Sequence, residues 1–319
     1  ATSWFQIGGL KIQPSEFAKF TTGLALAKFF NMQHVNSQKH TSRILSYLIV
    51  LVPCLLIILQ NDLGTALVFS SFILVLYREG LSINILFAIL ILGILCLLSL
   101  LISQKILIYI FSFLALISLL FFRFNKKDIL TIIICWGFSV FFVLGTNFFV
   151  NDILSPHHTK RINVLLGKEF DPYGAGYNLI QSKIAIGSGG SFGKGFLNGT
   201  QTRFDFVPEQ STDFIFCTIG EEWGFFGSLL FILIFIGLIT RIILLAERQR
   251  SSFSRIYGYS VACILFSHFT INIGMTIGLL PTVGIPLPFI SYGGSSLLGF
   301  TILLFIFLNL DSYRLDILR

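Results

Sequence analysis

The chain has 319 residues, of which 55% are hydrophobic and only 12% charged, and its mean hydropathy is +0.85. A soluble domain carries about 25% charged residues. A soluble enzyme, a disordered tail and a coiled coil are therefore excluded together, and the composition is that of a membrane protein. Lys and Arg number 22 against 15 Asp and Glu, a formal charge of +7, which the basic cytoplasmic loops of membrane proteins explain without nucleic acid.

A spanning helix needs about 20 mostly apolar residues. In chain order the sequence predicts nine such segments, at 14–30, 43–60, 62–77, 83–103, 106–122, 128–148, 214–245, 256–274 and 293–310. The first and third are short. Gln13-Pro14-Ser15-Glu16 opens the first, with Pro14 at the favoured first turn. Glu16 and Lys19 lie three residues apart on one face, close enough to pair, and Lys28 reaches toward headgroups at the inner end. Asp62 opens the third segment in Gln60-Asn61-Asp62-Leu63-Gly64-Thr65, where an N-cap role is the simplest expectation.

Basic residues in the short connections set the orientation. Lys39, Arg43, Arg78, Arg123, Lys126 and Lys127 fall on one side with Arg241, Arg248, Arg250, Arg255, Arg314 and Arg319, whereas the opposite short connections hold Lys105 alone. This predicts Ala1 outside and Arg319 inside. The polar stretch 149–213, in which acidic residues (Glu169 and Asp205 among them) equal basic ones, then forms one long extracytoplasmic loop. The five cysteines (Cys54, Cys96, Cys135, Cys217, Cys263) lie in apolar stretches without CxxC spacing and read as buried small hydrophobes.

Within that loop, Gly187-Ser-Gly-Gly-Ser-Phe-Gly-Lys194-Gly195 invites comparison with a phosphate loop. A Walker A motif needs GxxxxGK[ST]; here Ser188 replaces the first Gly and Gly195 the final hydroxyl, so the nucleotide reading fails. Two alternatives remain: a plain glycine-rich turn, or flexible backbone beside Lys183 and Lys194 that approaches an anion closely. Asp213, in Ser211-Thr212-Asp213-Phe214, stands where the seventh span begins. It is either an N-cap or a partly desolvated carboxylate able to accept a proton. Glu221 and Glu222 lie two turns deeper, where ionisable groups are functional candidates because their desolvation is costly. Pro281-Thr-Val-Gly284-Ile-Pro286-Leu-Pro288-Phe-Ile-Ser291-Tyr292-Gly293-Gly294 is either a surface turn or a non-helical cavity wall, tolerated at membrane depth where protein satisfies its backbone.

Taken in order, these runs resemble the SEDS family (shape, elongation, division and sporulation proteins), its elongation branch most closely. The resemblance rests on Gln13–Glu16, Asp62–Thr65, Gly174–Gly190, Gly193–Gly195, Gly199–Gln201, Pro208-Glu209, Thr212–Phe216, Gly220–Glu222, Asn272–Met275 and Gly284–Ser296, and spans the chain apart from 80–150. Family members usually begin with about three further helices, so the chain reads as truncated at its start. They more often carry Pro where this chain has Asn61, and one span where 80–150 offers three, which makes 83–122 an added helical hairpin.

The resemblance implies an all-α polytopic protein, one membrane domain over 1–319, in the bacterial cytoplasmic membrane with its active face outside. The implied activity is polymerisation of lipid II, with Asp213 as the essential carboxylate. A hydroxyl attacking an anomeric carbon must lose a proton, and one positioned carboxylate meets that need. Diphosphate is already a good leaving group, so cations suffice to stabilise it. Lys183, Lys194 and Arg161 are expected near the diphosphate. Glu16, Lys19, Asp62, Glu209 and Ser291-Tyr292-Gly293-Gly294 are expected to shape the cavity. No ligand cluster demands a metal, and a divalent cation such as Mg²⁺ or Mn²⁺ on the diphosphate is compatible with the chemistry. The expected partners are lipid II, a lipid-linked glycan strand, membrane lipids and a class B penicillin-binding protein, a transpeptidase. The alternative from another class is a lipid-linked-sugar flippase.

Overall fold

In the computed structural model the described residues are 4–7, 10–32, 40–80, 82–121, 126–168, 171, 174, 176–204 and 206–314. Ala1, Lys39, Arg123, Glu169, Asp205 and Arg319, read above, lie outside them. Among the described residues a two-stranded antiparallel hairpin, β1 (Phe5–Ile7) and β2 (Leu10–Ile12), is the small exception to otherwise helical secondary structure. Then follow α1 (Pro14–Phe30), α2 (His40–Leu59), α3 (Leu63–Phe69) and α4 (Phe72–Arg78). Next are α5 (Ile83–Leu101), α6 (Gln104–Phe121), α7 (Lys126–Phe148) and α8 (Pro156–Leu165). The chain closes with α9 (Tyr177–Ser188), α10 (Thr200–Arg203), α11 (Ile215–Glu247), α12 (Ser252–Thr276) and α13 (Gly294–Ser312).

Among the described residues seven helices are long and apolar enough to cross a membrane: those within 41–59, 83–101, 104–121, 126–152, 215–247, 252–276 and 294–312. The other two expected spans are α1, of 17 residues, and the pair α3–α4, which breaks at Ser70-Ser71. The polar stretch 149–213 is more ordered than its glycine content suggests, since α8, α9 and α10 all lie in it.

The chain divides into two compact units, 1–81 with 177–319 and 82–176. The second holds α5–α8 and is wider than the expected hairpin at 83–122: α7 packs against both α5 and α6. The Trp136 indole donates to Ser112 Oγ at 3.1 Å, tying α7 to α6. Windows in α5, α6 and α7 are each 6% buried, as expected of helices bathed in hydrocarbon. Cys135 on α7 is exposed and only Cys217 is fully buried, so the uniform expectation of buried cysteines does not hold.

In the first unit α12 is the central element, 72% buried, and α1, α9, α11 and α13 pack around it. Its residues show why: Gly258 faces Phe307 and Ala246 with no room for a β-carbon, and Tyr257, Ile264 and Leu265 are fully enclosed. Helix α12 ends in a Schellman motif. Gly278 takes φ +81°, the Leu279 amide donates to Gly274 O at 2.7 Å, and the Gly278 amide donates to Met275 O at 3.3 Å. From that turn the chain runs non-helically to α13, and this segment organises the site.

Candidate active site

Asp213 is half-buried in the turn that leads into α11. Local bonds shape the turn: the amides of Thr212 and Phe214 both donate to Glu209 O at 3.1 Å, and Thr212 Oγ1 donates to Glu209 Oε2 at 2.8 Å. Glu209 itself sits at φ +56°, left-handed backbone that a non-glycine residue adopts only when its surroundings impose it.

The rest of the turn is held by α12 and the segment 281–294. Asn272 on α12 donates one amide proton to Asp213 O (2.8 Å) and the other to Ile285 O (2.7 Å). Ser291 Oγ donates to Thr212 O (2.5 Å) and accepts from the Leu287 amide (2.7 Å). The Tyr292 amide donates to Ser211 O at 2.8 Å. Three consecutive carbonyls, those of Ser211, Thr212 and Asp213, are thus held by groups outside the turn. The carboxylate lies over Gly284, where a β-carbon would stand 3.3 Å from Asp213 Oδ2; Gly284 also has φ +69°. The Pro-rich segment is therefore a wall built against Asp213, and its backbone needs are met by protein, as membrane depth requires. Tyr292 is 81% exposed beside this wall.

Behind the wall lies a second polar layer. Glu16 and Lys19 form an ion pair at 2.7 Å, both about 97% buried, and Lys19 Nζ also meets His268 Nε2 at 2.8 Å. Asp62 caps α3 through the Thr65 amide (3.0 Å) and hydroxyl (2.8 Å) and accepts from Gln13 Nε2 at 2.9 Å. Gly64 lies directly against Val283 O, so α3 buttresses the wall from behind. Asp62, Glu16 and Lys19 thus build the support of the site. His268 and Asn272 belong to the same assembly; Asn272 opens a run that carries the family resemblance but had no role assigned from it, and His268, a polar residue inside an apolar helix, was not singled out in the sequence.

The lysines divide. Lys183 on α9 is exposed, lies across Gly278 and makes no hydrogen bond or ion pair among the described residues. Lys194, expected at the diphosphate, is instead paired with Glu221 at 2.7 Å and bonded to Thr200 Oγ1. Glu221 is fully buried and also accepts from the amides of Gln201 and Thr202, each at 2.9 Å. The glycine-rich loop is likewise committed. Helix α11 breaks at Gly224 (φ 65°, ψ −159°), leaving backbone groups without helical partners. The loop supplies them: the amides of Lys194 and Gly195 donate to Glu221 O and Glu222 O (3.0 Å each), while those of Phe225 and Phe226 donate to Gly190 O and Ser191 O (2.9 and 3.1 Å). The Gly193 amide goes to Gly189 O. The amides of 193–195 that an anion would need are thus already donated, which answers the sequence question in favour of a structural turn. Arg161 sits on α8, in the second unit. Among the described residues no three His, Cys, Asp or Glu side chains are grouped as a metal site would require.

Fold and site together define a multi-pass helical membrane protein with one carboxylate fixed at the end of a spanning helix. A family model described as "Cell cycle protein", FtsW/RodA/SpoVE, matches residues 1–115 and 95–315. The chain belongs to this family. It is 36% identical over 300 residues to peptidoglycan glycosyltransferase MrdB of Escherichia coli, covering 93% of this chain and 67% of that one. It is 33% identical over 322 residues to peptidoglycan glycosyltransferase RodA of Treponema pallidum, covering 93% and 74%. Among solved structures, a chain of a peptidoglycan synthase complex, described as coordinating polymerization and crosslinking, matches with a TM-score of 0.68 at 27% identity, over 99% of this chain and 74% of that one. Thermus thermophilus RodA shares the fold, with a TM-score of 0.57 at 22% identity over 99% and 70%.

Proposed function

We propose that the protein is a peptidoglycan glycosyltransferase in which Asp213 is the general base. The acceptor sugar hydroxyl of lipid II attacks the anomeric carbon of a lipid-linked glycan. A C–O bond forms as the bond to diphosphate breaks, the polyprenyl diphosphate leaves with the electron pair, and the hydroxyl proton passes to the Asp213 carboxylate. A single displacement inverts the anomeric centre. Base catalysis of this kind contributes about 10²- to 10⁴-fold, provided the carboxylate is held still.

The observation that carries the reading is the set of outside contacts on the carbonyls of Ser211, Thr212 and Asp213. An N-cap alone does not require them. Lys183, exposed and without an ion pair among the described residues, is the cation we assign to the diphosphate, and Tyr292 is assigned to the sugar. A divalent cation at the reaction centre would be held chiefly by the diphosphate. The active face is assigned to the outside of the bacterial cytoplasmic membrane, with a class B penicillin-binding protein as the crosslinking partner. A flippase is not favoured, since the named relatives are glycosyltransferases.

The test is polymerisation of lipid II by the purified full-length protein in detergent, where a flippase has no two sides to connect. Wild type should make glycan strands, and Asp213→Asn should be slower by at least about 100-fold. A folded Asp213→Asn protein working at the normal rate would remove the base assignment.

A further inference from the structure

Pro286 lies between the two residues through which Asn272 and Ser291 hold the Asp213 turn, Ile285 and Leu287. Its carbonyl meets His268 Nδ1 at 3.1 Å, and the other ring nitrogen meets Lys19 Nζ at 2.8 Å. A carbonyl can only accept and an ammonium can only donate, so the ring is the neutral tautomer with its proton on Nδ1. Lys19 then has three directed contacts: Glu16 Oε2 at 2.7 Å, His268 Nε2, and the face of Phe300 at 4.9 Å from its centroid. Phe300 also packs edge-to-face on the His268 ring, 4.8 Å between centroids, so the imidazole cannot turn freely. His268 is fully buried, one turn of α12 from Asn272, and the two side chains grip adjacent carbonyls of the wall.

We propose that His268 is a positioning residue for glycosyl transfer, linking the buried Glu16–Lys19 pair to Pro286 and thereby fixing the wall that orients Asp213. This rests on the reading of Asp213 as the base. A link of this kind acts on the geometry of the reacting group more than on substrate binding.

The experiment compares full-length His268→Phe, which keeps a ring but no polar atom, with His268→Gln, whose amide offers one donor and one acceptor. For lipid II polymerisation, His268→Phe should lower kcat about 10- to 100-fold with KM within about twofold, and His268→Gln should recover kcat to within about threefold of wild type. Deuterium uptake over 281–294 should quicken about tenfold in His268→Phe while the core of α12 stays protected. Normal kcat in His268→Phe overturns the proposal, as does His268→Gln as slow as His268→Phe. If His268→Phe does not fold, His268→Met is judged by the same criteria. The two readings fail separately: an active Asp213→Asn removes the base, whereas unchanged uptake over 281–294 in His268→Phe removes the link.

Discussion

Asn272 spends both amide protons on carbonyls, and its Oδ1 is buried with no hydrogen-bond partner among the described residues. An orphaned acceptor costs about 1–3 kcal/mol, so the double donation holds the residue there despite that cost. Asn272→Asp removes both donations and sets a second negative group among carbonyls beside Asp213. Polymerisation should fall below about 1% of wild type, with a loss of about 3 kcal/mol in stability; an Asn272→Asp enzyme with normal activity would separate the clamp from catalysis. Gly284→Ala is subtler: the methyl enters at 3.3 Å from Asp213 Oδ2 on left-handed backbone. It should cost about 1–2 kcal/mol in thermal stability yet lower kcat at least about tenfold, since the base is displaced. Asp213 was legible in the sequence as a carboxylate at the mouth of a span. Asn272 was legible only as part of a family run, and neither its clamping role nor His268 could be read there, because no spacing rule marks a single polar residue whose partner is a carbonyl brought near by the fold. Asn61 illustrates the converse. It stands at φ +57° with its amide on Ile58 O at 2.9 Å, a position that proline cannot take, so this departure from the usual family residue has a local cause.

At the scale of elements, hydropathy reads 214–245 as one uninterrupted span, and the break at Gly224 is invisible to it. The break nevertheless decides what the glycine-rich loop is for. With φ 65° and ψ −159° Gly224 occupies backbone space essentially reserved for glycine, and a β-carbon there would run into Gly193 N and Gly190 O. Gly224→Ala should therefore unseat 189–195 as a unit, costing about 2–4 kcal/mol from strain and lost backbone bonds. Melting in detergent with protease sensitivity of the loop reads it directly. Lys194 tests the same idea from the charge side. Its head pairs with a fully buried carboxylate, so Lys194→Met should lower the melting temperature with little change in KM for lipid II, while Lys183→Met should raise KM and leave melting alone. The opposite pattern would return Lys194 to the substrate. Motif counting speaks only to the nucleotide loop; the crossing of loop and broken helix depends on a backbone angle, and composition carries no record of that.

For the whole molecule the nine-segment reading and the seven long helices differ only in α1 and α3–α4, the elements that carry Glu16, Lys19 and Asp62. Short helices that must bury ionisable groups against neighbours have less apolar surface to offer lipid, so hydropathy finds them weakly. One end of the first unit is stitched by Arg78–Glu247 (3.2 Å), Arg248–Asp311 (2.6 Å) and Arg255–Glu79 (3.6 Å). The positive-inside rule counts basic residues and not net charge, so these pairings leave the assignment of that end to the cytoplasm intact. From Phe225 to Glu247 the helix, at 1.5 Å per residue, is long enough to cross the about 30 Å hydrocarbon core. Glu221, Gly224 and the Asp213 turn then lie toward the opposite surface. Single cysteines decide the orientation: Asn198→Cys on the glycine-rich side and Arg250→Cys between α11 and α12, both at exposed positions, each in a chain whose native cysteines are replaced by serine or alanine. A membrane-impermeant maleimide should label Asn198→Cys in spheroplasts and Arg250→Cys only in inverted vesicles. The reverse pattern would put Asp213 at the cytoplasmic surface, where a polymerase building the wall outside the membrane could not use it.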